Sequence, residues 1–299
     1  MLLVVLLYLI FAGMTFINSF LMEIFPYPII IGMFRALGSG ALIVAYFVFF
    51  KRSALARFTL NKKEWHLLFA YAVLIHAVGM CAFSYAMLYG TPVMVCFIYA
   101  TAPFLTGIIS YFLGYETLSH QKIIGLCMGF AGLMPVLMQS IDQHTVAVDH
   151  GGLGFAITFG AMICFCYGWI LFKKLLYSTS QSIQLLNGIA MLIGGILSAG
   201  AALIMYGCTG QVGVYSSQVA AWIFIFMIAS LLSYCLYAYL ISVFSPIFIS
   251  FAGFLEPAFG MLYGVFLQGY VVTGTSLAGL LVLFLGLYVF YQQELSKTA

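Results

Sequence analysis

The sequence is poor in charge. Only 6% of its 299 residues are Asp, Glu, Lys or Arg, whereas a soluble globular domain carries roughly 25%. So few charges cannot cover the surface of a soluble protein, and no hydrophilic segment is long enough to form a separate soluble domain. The sequence also lacks the Gly-rich phosphate loop of nucleotide hydrolases, which excludes ATP hydrolysis within this chain.

The chain also has little that would hold a metal or a disulfide. Six of its seven cysteines lie in apolar stretches, and the seventh, Cys208, has no evident partner. Asp and His residues occur in the segment Gln139–His150, but a metal site needs ligands that converge, so we interpret this segment as a solvated loop. We therefore expect no disulfide, no bound metal, no cofactor and no nucleic-acid partner.

Apolar residues, in contrast, are abundant and make up 65% of the chain. Stretches of about 20 apolar residues follow one another, each long enough to cross a bilayer as a helix. Met1–Phe20 has neither a basic leader nor a small-residue cleavage site, so we expect a retained span rather than a signal peptide. The pattern predicts spans at residues 1–20, 29–50, 65–87, 91–113, 120–138, 151–172, 183–206, 219–241, 245–268 and 273–293.

The chain matches itself at a shift of 154 residues. Prolines and glycines, which shape the backbone, agree at Pro92/Pro246, Pro103/Pro257, Gly125/Gly279 and Gly132/Gly286. The shift maps the first five spans onto the last five, and because five is odd the second copy crosses the membrane in the opposite sense. Such an inverted repeat is typical of transporters. The predicted fold is an all-α integral membrane protein with ten transmembrane helices in two inverted five-helix repeats.

Basic residues predict the orientation of these spans. In the ten-span arrangement they share one face, while the opposite loops contain no Lys or Arg. The residues on that face are Lys51, Arg52, Arg57, Lys62, Lys63, Lys122, Lys173, Lys174 and Lys297. By the positive-inside rule both termini are cytoplasmic, and we expect a multi-pass protein of the cytoplasmic (inner) membrane.

Several short motifs, taken in order, resemble a known family. Arg35 lies within Phe-Arg-Ala in the second span, Ala102-Pro103 leads to Leu-Gly-Tyr-Glu at 113–116, and Leu-Glu-Pro at 255–257 occupies the corresponding place in the second half. With the paired glycines, this order resembles the drug/metabolite transporter superfamily and its EamA-type ten-helix members. One departure is that Tyr270 stands where the first half has Glu116.

The resemblance implies two EamA-like five-helix units, at residues 1–140 and 151–295. It also implies export or exchange of small metabolites, often amino acids, through a central cavity. In this family the fifth and tenth spans lie outside the transport core. The fifth span itself indicates such a peripheral role, because it has no polar chemistry on the face of its glycines. These glycines, which allow close helix approach, are Gly125, Gly129 and Gly132. We therefore expect these two spans to form scaffold contacts or a homodimer interface.

Two formal charges lie inside the hydrocarbon part of the predicted spans, away from the span ends, and they are candidate substrate-binding residues. A charge inside the hydrocarbon costs about 2.5–3.5 kcal/mol even on insertion scales, so it is functional by default. Glu256 lies near the middle of the ninth span and Arg35 in the outer half of the second. One alternative is a salt bridge between them that only ties helices together. Another is that Glu256 carries a proton in each transport cycle.

His76 is a second candidate for proton coupling or substrate contact, because His titrates near neutral pH. Its alternative role is a hydrogen bond to a neighbouring helix. Aromatic side chains crowd the same level and would suit a substrate with a flat or cationic part. The candidate substrate-binding aromatics are Tyr85, Phe97, Tyr99, Trp169, Tyr234 and Tyr239, with Tyr237 beside them.

Pro103 and Pro257 occupy equivalent places in the two halves, and we expect both to bend their helices near the cavity. Together these features predict a secondary transporter rather than an enzyme, with the lipid bilayer and a small-molecule substrate as partners. The alternative is an intramembrane enzyme acting on a lipid-linked substrate, which would need a clustered acid, base or metal set. A channel is disfavoured, because channels more often present rings of charge from an oligomer.

Overall fold

The computed structural model describes residues 2–89, 95, 98–99, 101–114, 119–143, 151–207, 216–268 and 272–298. Within these residues all regular structure is helical. The helices of the first half are α1 (Leu2–Ile24), α2 (Pro28–Phe50), α3 (Arg52–Ala56), α4 (Lys62–Tyr71), α5 (Met80–Tyr89), α6 (Ala102–Phe112) and α7 (His120–Gln143). Those of the second half are α8 (Gly151–Ser178), α9 (Ile183–Ala202), α10 (Ser217–Val243), α11 (Pro246–Ala252), α12 (Leu255–Gln268) and α13 (Gly274–Thr298).

Two π-helical segments interrupt the α-helical geometry. One, Ala72–Gly79, joins α4 to α5 into a single continuous helix, and the other, Leu203–Gly207, extends α9. A π-helical turn inserts an extra residue into the hydrogen-bond ladder and frequently marks a functional site. The first segment contains His76.

Seven helices in the described part of the chain are long and apolar enough to cross a membrane. They are Leu2–Ile24, Pro28–Phe50, Lys62–Tyr89, Gly152–Ser178, Ile183–Gly207, Ser217–Val243 and Pro246–Phe266. Two shorter apolar helices, Ala102–Phe112 and Gly274–Phe290, accompany them. The chain is therefore a multi-pass, all-helical membrane protein. The predicted fourth span, 91–113, lies partly outside the described residues.

Two pairs of helices that the 154-residue shift relates pack against each other in antiparallel fashion. In the first pair, α2 lies along α9, and a Cβ atom added at Gly195 would meet Leu37, whereas one added at Gly188 would meet Ile43. The second pair is α7 with α13. There, a Cβ at Gly132 would lie 2.5 Å from the carbonyl oxygen of Gly279.

The contact between α7 and α13 is reciprocal. A Cβ at Gly279 would lie 2.5 Å from the carbonyl oxygen of Gly132, and one at Gly125 would lie 3.1 Å from that of Gly286. Glycine is needed here because the two backbones touch. The glycines expected to serve scaffold or dimer contacts therefore pack within one chain, and a homodimer through the outer faces of these helices stays a prediction.

The predicted ninth span, 245–268, is divided into two helices. Helix α11 begins at Pro246 after the N-cap Ser245, whose side chain accepts a hydrogen bond from the amide of Phe248, and ends at Ala252. Helix α12 begins at Leu255. At the break, the amide of Gly253 donates to the carbonyl of Ser250 over 2.9 Å, a three-residue rather than a four-residue step.

Lys173 fixes the end of α10. Helix α8 continues beyond the predicted limit of residue 172 to Ser178, which carries Lys173 past the C-terminus of α10. There its Nζ atom donates to the carbonyl oxygens of Ile241, Ser242 and Phe244 over 2.6, 3.2 and 3.2 Å. Carbonyls at a helix C-terminus have no intrahelical donor and carry partial negative charge, so an ammonium group stabilises that end.

Candidate substrate cavity

A cavity lies among α1, α2, α5, α6, α8, α10, α11 and α12. Its free space, with the opening to solvent included, is about 870 Å³. Its lining is mostly aromatic and apolar. Among the described residues, Arg35 and Glu256 are the formally charged members of this lining.

Much of the lining consists of residue pairs related by the 154-residue shift. One member of each pair comes from the first half of the chain and the other from the second half. The pairs are Tyr8/Met162, Phe11/Phe165, Thr15/Trp169, Phe83/Tyr237, Tyr99/Gly253 and Ala102/Glu256. The cavity is thus built from equivalent backbone positions that carry different side chains.

Glu256 lies in the first turn of α12, directly after the helix break. Its Oε1 atom accepts a hydrogen bond from Thr15 Oγ1 over 3.2 Å. The positive end of the helix dipole at this terminus favours a carboxylate. Pro257 is the next residue in the same first turn, and in the first half Pro103 likewise lies in the first turn of α6.

Helix α1 contacts both sides of the break that precedes Glu256. Because the amide of Gly253 is directed to Ser250, the carbonyl of Ile249 lacks its usual helical donor. The hydroxyl of Tyr8 donates a short hydrogen bond to that carbonyl. Two turns further along α1, Thr15 reaches the carboxylate. Tyr8 thus holds the segment before the break, and Thr15 holds the group after it.

Arg35 is a buried member of the lining, with 2% of its surface exposed. Its Nε atom donates to Ser230 Oγ over 2.9 Å, and its guanidinium carbon lies 4.2 Å from the ring centroid of Phe226. One terminal nitrogen, Nη1, is buried and has no hydrogen-bond partner among the described residues. No ion pair joins Arg35 to Glu256 in the described structure.

Stacked rings form one wall of the cavity. Trp169 lies against Tyr237 with centroids 4.0 Å apart and planes inclined by 17°. Tyr234 flanks the same indole at 6.0 Å and 26°, and Phe11 meets Tyr234 edge-on. Such a wall offers flat π-faces to an apolar, aromatic or cationic group.

Comparison with known proteins finds similarity to a family of transporters. Residues 1–138 match the EamA-like transporter family. A curated relative, the S-adenosylmethionine/S-adenosylhomocysteine transporter of Chlamydia trachomatis serovar L2, is 27% identical over 210 residues, covering 67% of this chain and 62% of that protein. The match over the first 138 residues and the transporter names of the relatives support the resemblance of this chain to the drug/metabolite transporter superfamily.

Other relatives of this chain carry transporter names as well. The protein with the same name in Chlamydia muridarum is 28% identical over 67% of this chain and 64% of its own length. A probable amino-acid metabolite efflux pump of Salmonella typhimurium is 22% identical over 75% of each chain. The chain spans less than two thirds of the length of the chlamydial relatives that it matches.

A crystal structure shares the fold of this chain along its whole length. It superposes with a TM-score of 0.74 and covers 100% of this chain and 97% of its own. At 14% identity, the likeness shows the fold alone.

The structure brings together some of the predicted site residues. Arg35, Glu256, Tyr99, Trp169 and Tyr234 all line the cavity, and Tyr237 lies beside them. His76 does not line the cavity. It is fully buried behind Tyr234, whose ring centroid lies 5.3 Å from its own, and neither ring nitrogen has a described hydrogen-bond partner.

Three other predicted aromatics have different places. The hydroxyl of Tyr85 donates to the sulfur of Met205 over 3.6 Å, away from the cavity lining. Tyr239 is 46% exposed on the outside of α10. Phe97 lies outside the described residues.

Sequence reasoning missed Tyr8 and Thr15, the two α1 residues that contact the broken helix. The internal repeat contained a signal for Thr15. Applying the 154-residue shift to the first span pairs Phe11 with Phe165 and Thr15 with Trp169, so the predicted cavity residue Trp169 pointed back to Thr15.

Proposed function

We propose that this chain is a secondary active transporter that works by alternating access. It moves a small metabolite, amino-acid-like or another small organic solute with an aromatic or cationic part, across the cytoplasmic membrane. The observation that carries the proposal is the cavity between the two halves, where Arg35 and Glu256 meet a wall of stacked rings. The name of the Salmonella relative, an amino-acid metabolite efflux pump, is consistent with this substrate class.

We further propose ten transmembrane spans in two inverted repeats, residues 1–140 and 151–295, with both termini in the cytoplasm. Repeat-related helices of an inverted repeat cross the membrane in opposite senses, and the antiparallel pairs α2/α9 and α7/α13 support this. In the same arrangement the first and ninth spans cross in one sense. Tyr8 contacts Ile249, and Thr15, seven residues later, contacts Glu256, seven residues after Ile249. The two segments therefore run in the same direction, which supports this arrangement.

Epitope tags test the topology. Tags at both ends should report the cytoplasm, and a tag within Gln139–His150 should report the opposite side. A cytoplasmic report from that loop would overturn both the ten-span arrangement and the inverted repeat.

Glu256 is the residue we propose for proton coupling. A carboxylate in surroundings of low dielectric constant has its charged form disfavoured, and Thr15 is the hydrogen-bond partner described for it. Protonation in one state and release in the other would move one proton per cycle. His76 is less suited to this role, because it does not line the cavity. It lies behind Tyr234, and its ring also contacts Tyr71.

Purified protein in liposomes tests transport and coupling separately. A thermal-shift screen of metabolites, including S-adenosylmethionine and the common amino acids, first identifies stabilising compounds. We expect these compounds to show saturable counterflow, and an imposed proton gradient to drive their accumulation. Glu256→Gln should retain exchange, at a higher half-saturation concentration of substrate, but lose accumulation.

The two parts of the proposal fail in different ways. If no compound stabilises the protein or gives counterflow above that of protein-free liposomes, the transport proposal is overturned. If counterflow is present and the pH gradient has no effect on wild-type accumulation, only the proton role of Glu256 is wrong.

A further inference from the structure

Arg35 has hydrogen-bonding capacity that the protein does not use. Ser230 holds its Nε atom at 2.9 Å, and the ring of Phe226 covers one face of the guanidinium at 4.2 Å. These contacts fix the plane of the group. Its Nη1 atom is buried without a described partner, and an unsatisfied buried donor on a charged group is costly. The free Nη1 atom of this fixed cationic group therefore suits an anionic oxygen.

Glu256 has unused capacity of the opposite kind. An ionised carboxylate can accept about four hydrogen bonds, and Thr15 supplies one, at 3.2 Å, to a single oxygen. The hydroxyl is neutral, so apart from the helix terminus no cationic group among the described residues balances the negative charge. The carboxylate lines the same cavity as Arg35, and the two groups do not form an ion pair.

These two unmatched charges restrict the ligand. A ligand with one negative and one positive group would compensate both, whereas a ligand with a single charge would leave the other buried charge unpaired. The remaining lining is mostly apolar and aromatic, and the ring centroids of its stacked pair Trp169 and Tyr237 lie 4.0 Å apart. A third, apolar or aromatic portion of the ligand has its place there.

We infer that the cavity recognises a zwitterion in a fixed orientation, with a carboxylate at Arg35, a cationic group at Glu256 and Thr15, and an apolar or aromatic portion against Trp169 and Tyr237. This inference rests on the proposed function and adds to it the charge pattern and the orientation of the substrate.

Matched compounds that differ by one charge test the inference. One series is L-phenylalanine, phenethylamine and 3-phenylpropionate. The other is L-methionine, 3-(methylthio)propylamine and 4-(methylthio)butanoate. Each compound competes for counterflow of the best substrate found for the wild-type protein. In at least one series we expect the zwitterion to compete roughly tenfold to a hundredfold better than either singly charged analogue, the range expected for lost charged hydrogen bonds.

Variants then separate the two ends of the ligand. Arg35→Gln should lose the preference for the amino acid over the amine, while it keeps the preference over the acid. Glu256→Gln should show the reverse pattern. Arg35→Lys, which keeps the charge but loses the planar fork, guards against loss of folding and should retain part of the preference. Tyr46→Phe, an exposed position on the same helix as Arg35, is the matched control and should leave the ranking unchanged.

The outcomes are distinct. Reciprocal loss of discrimination in the two variants supports the inference. If both variants change the ranking in parallel, or if the best substrate carries a single charge, the zwitterion inference is overturned although the chain remains a transporter. Absence of counterflow for every metabolite would instead overturn the proposed function.

Discussion

The hydroxyl of Tyr8 provides a sharp test of how the broken helix is held. Tyr8→Phe removes one oxygen atom and leaves the ring in place. The carbonyl of Ile249 then loses the donor that replaces its missing helical amide. A buried carbonyl left without a partner costs about 1–3 kcal/mol, so we expect the melting temperature of the purified protein to fall by several degrees.

Tyr263→Phe is the matched control for this change. Tyr263 also joins α12 to α1, by donating to the carbonyl of Leu9 over 3.3 Å. That carbonyl lies inside the continuous helix α1, where the amide four residues later also bonds to it. Its loss therefore leaves no unpaired group, and the melting temperature should change much less.

Transport gives a second measurement on the same variants. If Tyr8 fixes the segment that leads to Glu256, the maximal rate of counterflow should fall more in Tyr8→Phe than in Tyr263→Phe. Equal changes in melting temperature for the two variants, or no change for Tyr8→Phe, would refute the reasoning that the break depends on this hydroxyl.

Three further predictions concern glycine, carboxylate and proline. Gly132→Ala should lower the melting temperature, since its Cβ would lie 2.5 Å from the carbonyl oxygen of Gly279. The control Gly160→Ala, whose Cβ would have nothing within 4 Å, should not lower it. Equal effects would contradict the close packing of α7 and α13. Glu256→Gln should raise the melting temperature because it removes a buried charge that has no cationic partner among the described residues; a decrease would mean that Thr15 and the helix terminus compensate that charge. Pro103→Ala and Pro257→Ala should each impair transport more than expression, and wild-type transport in both would refute a role for these prolines.

The sequence predicted the helices well where apolar runs have clear ends. The prediction for the second span, 29–50, differs by one residue from α2, because Pro28 marks its start. The sixth span extends to Ser178 rather than residue 172. The prediction ended before Lys173, because a charged residue was expected to lie outside the span. In the structure the helix continues through Lys173, and its side chain binds a carbonyl at the end of α10.

The site was predictable where it depends on charge and not where it depends on contacts between distant segments. Arg35 and Glu256 stood out because charges are rare in an apolar chain. Hydroxyl groups are common in membrane helices, so residue type alone did not single out Tyr8 and Thr15. Both act on segments 241 residues away, and no local pattern reports a contact over that separation. The break between α11 and α12 was indicated by Pro257, but it occurs four residues earlier, at Gly253.

The paired lining of the cavity has a kinetic consequence. Opposite Glu256 the first half carries Ala102, and opposite Trp169 it carries Thr15. If the two halves exchange roles between the inward-open and outward-open states, the carboxylate and the indole approach a different mouth of the cavity in each. The two states then differ in their affinity for substrate. Half-saturation concentrations measured from the two sides of the membrane should therefore be unequal, so that near-symmetric helices yield a carrier with a preferred side of loading.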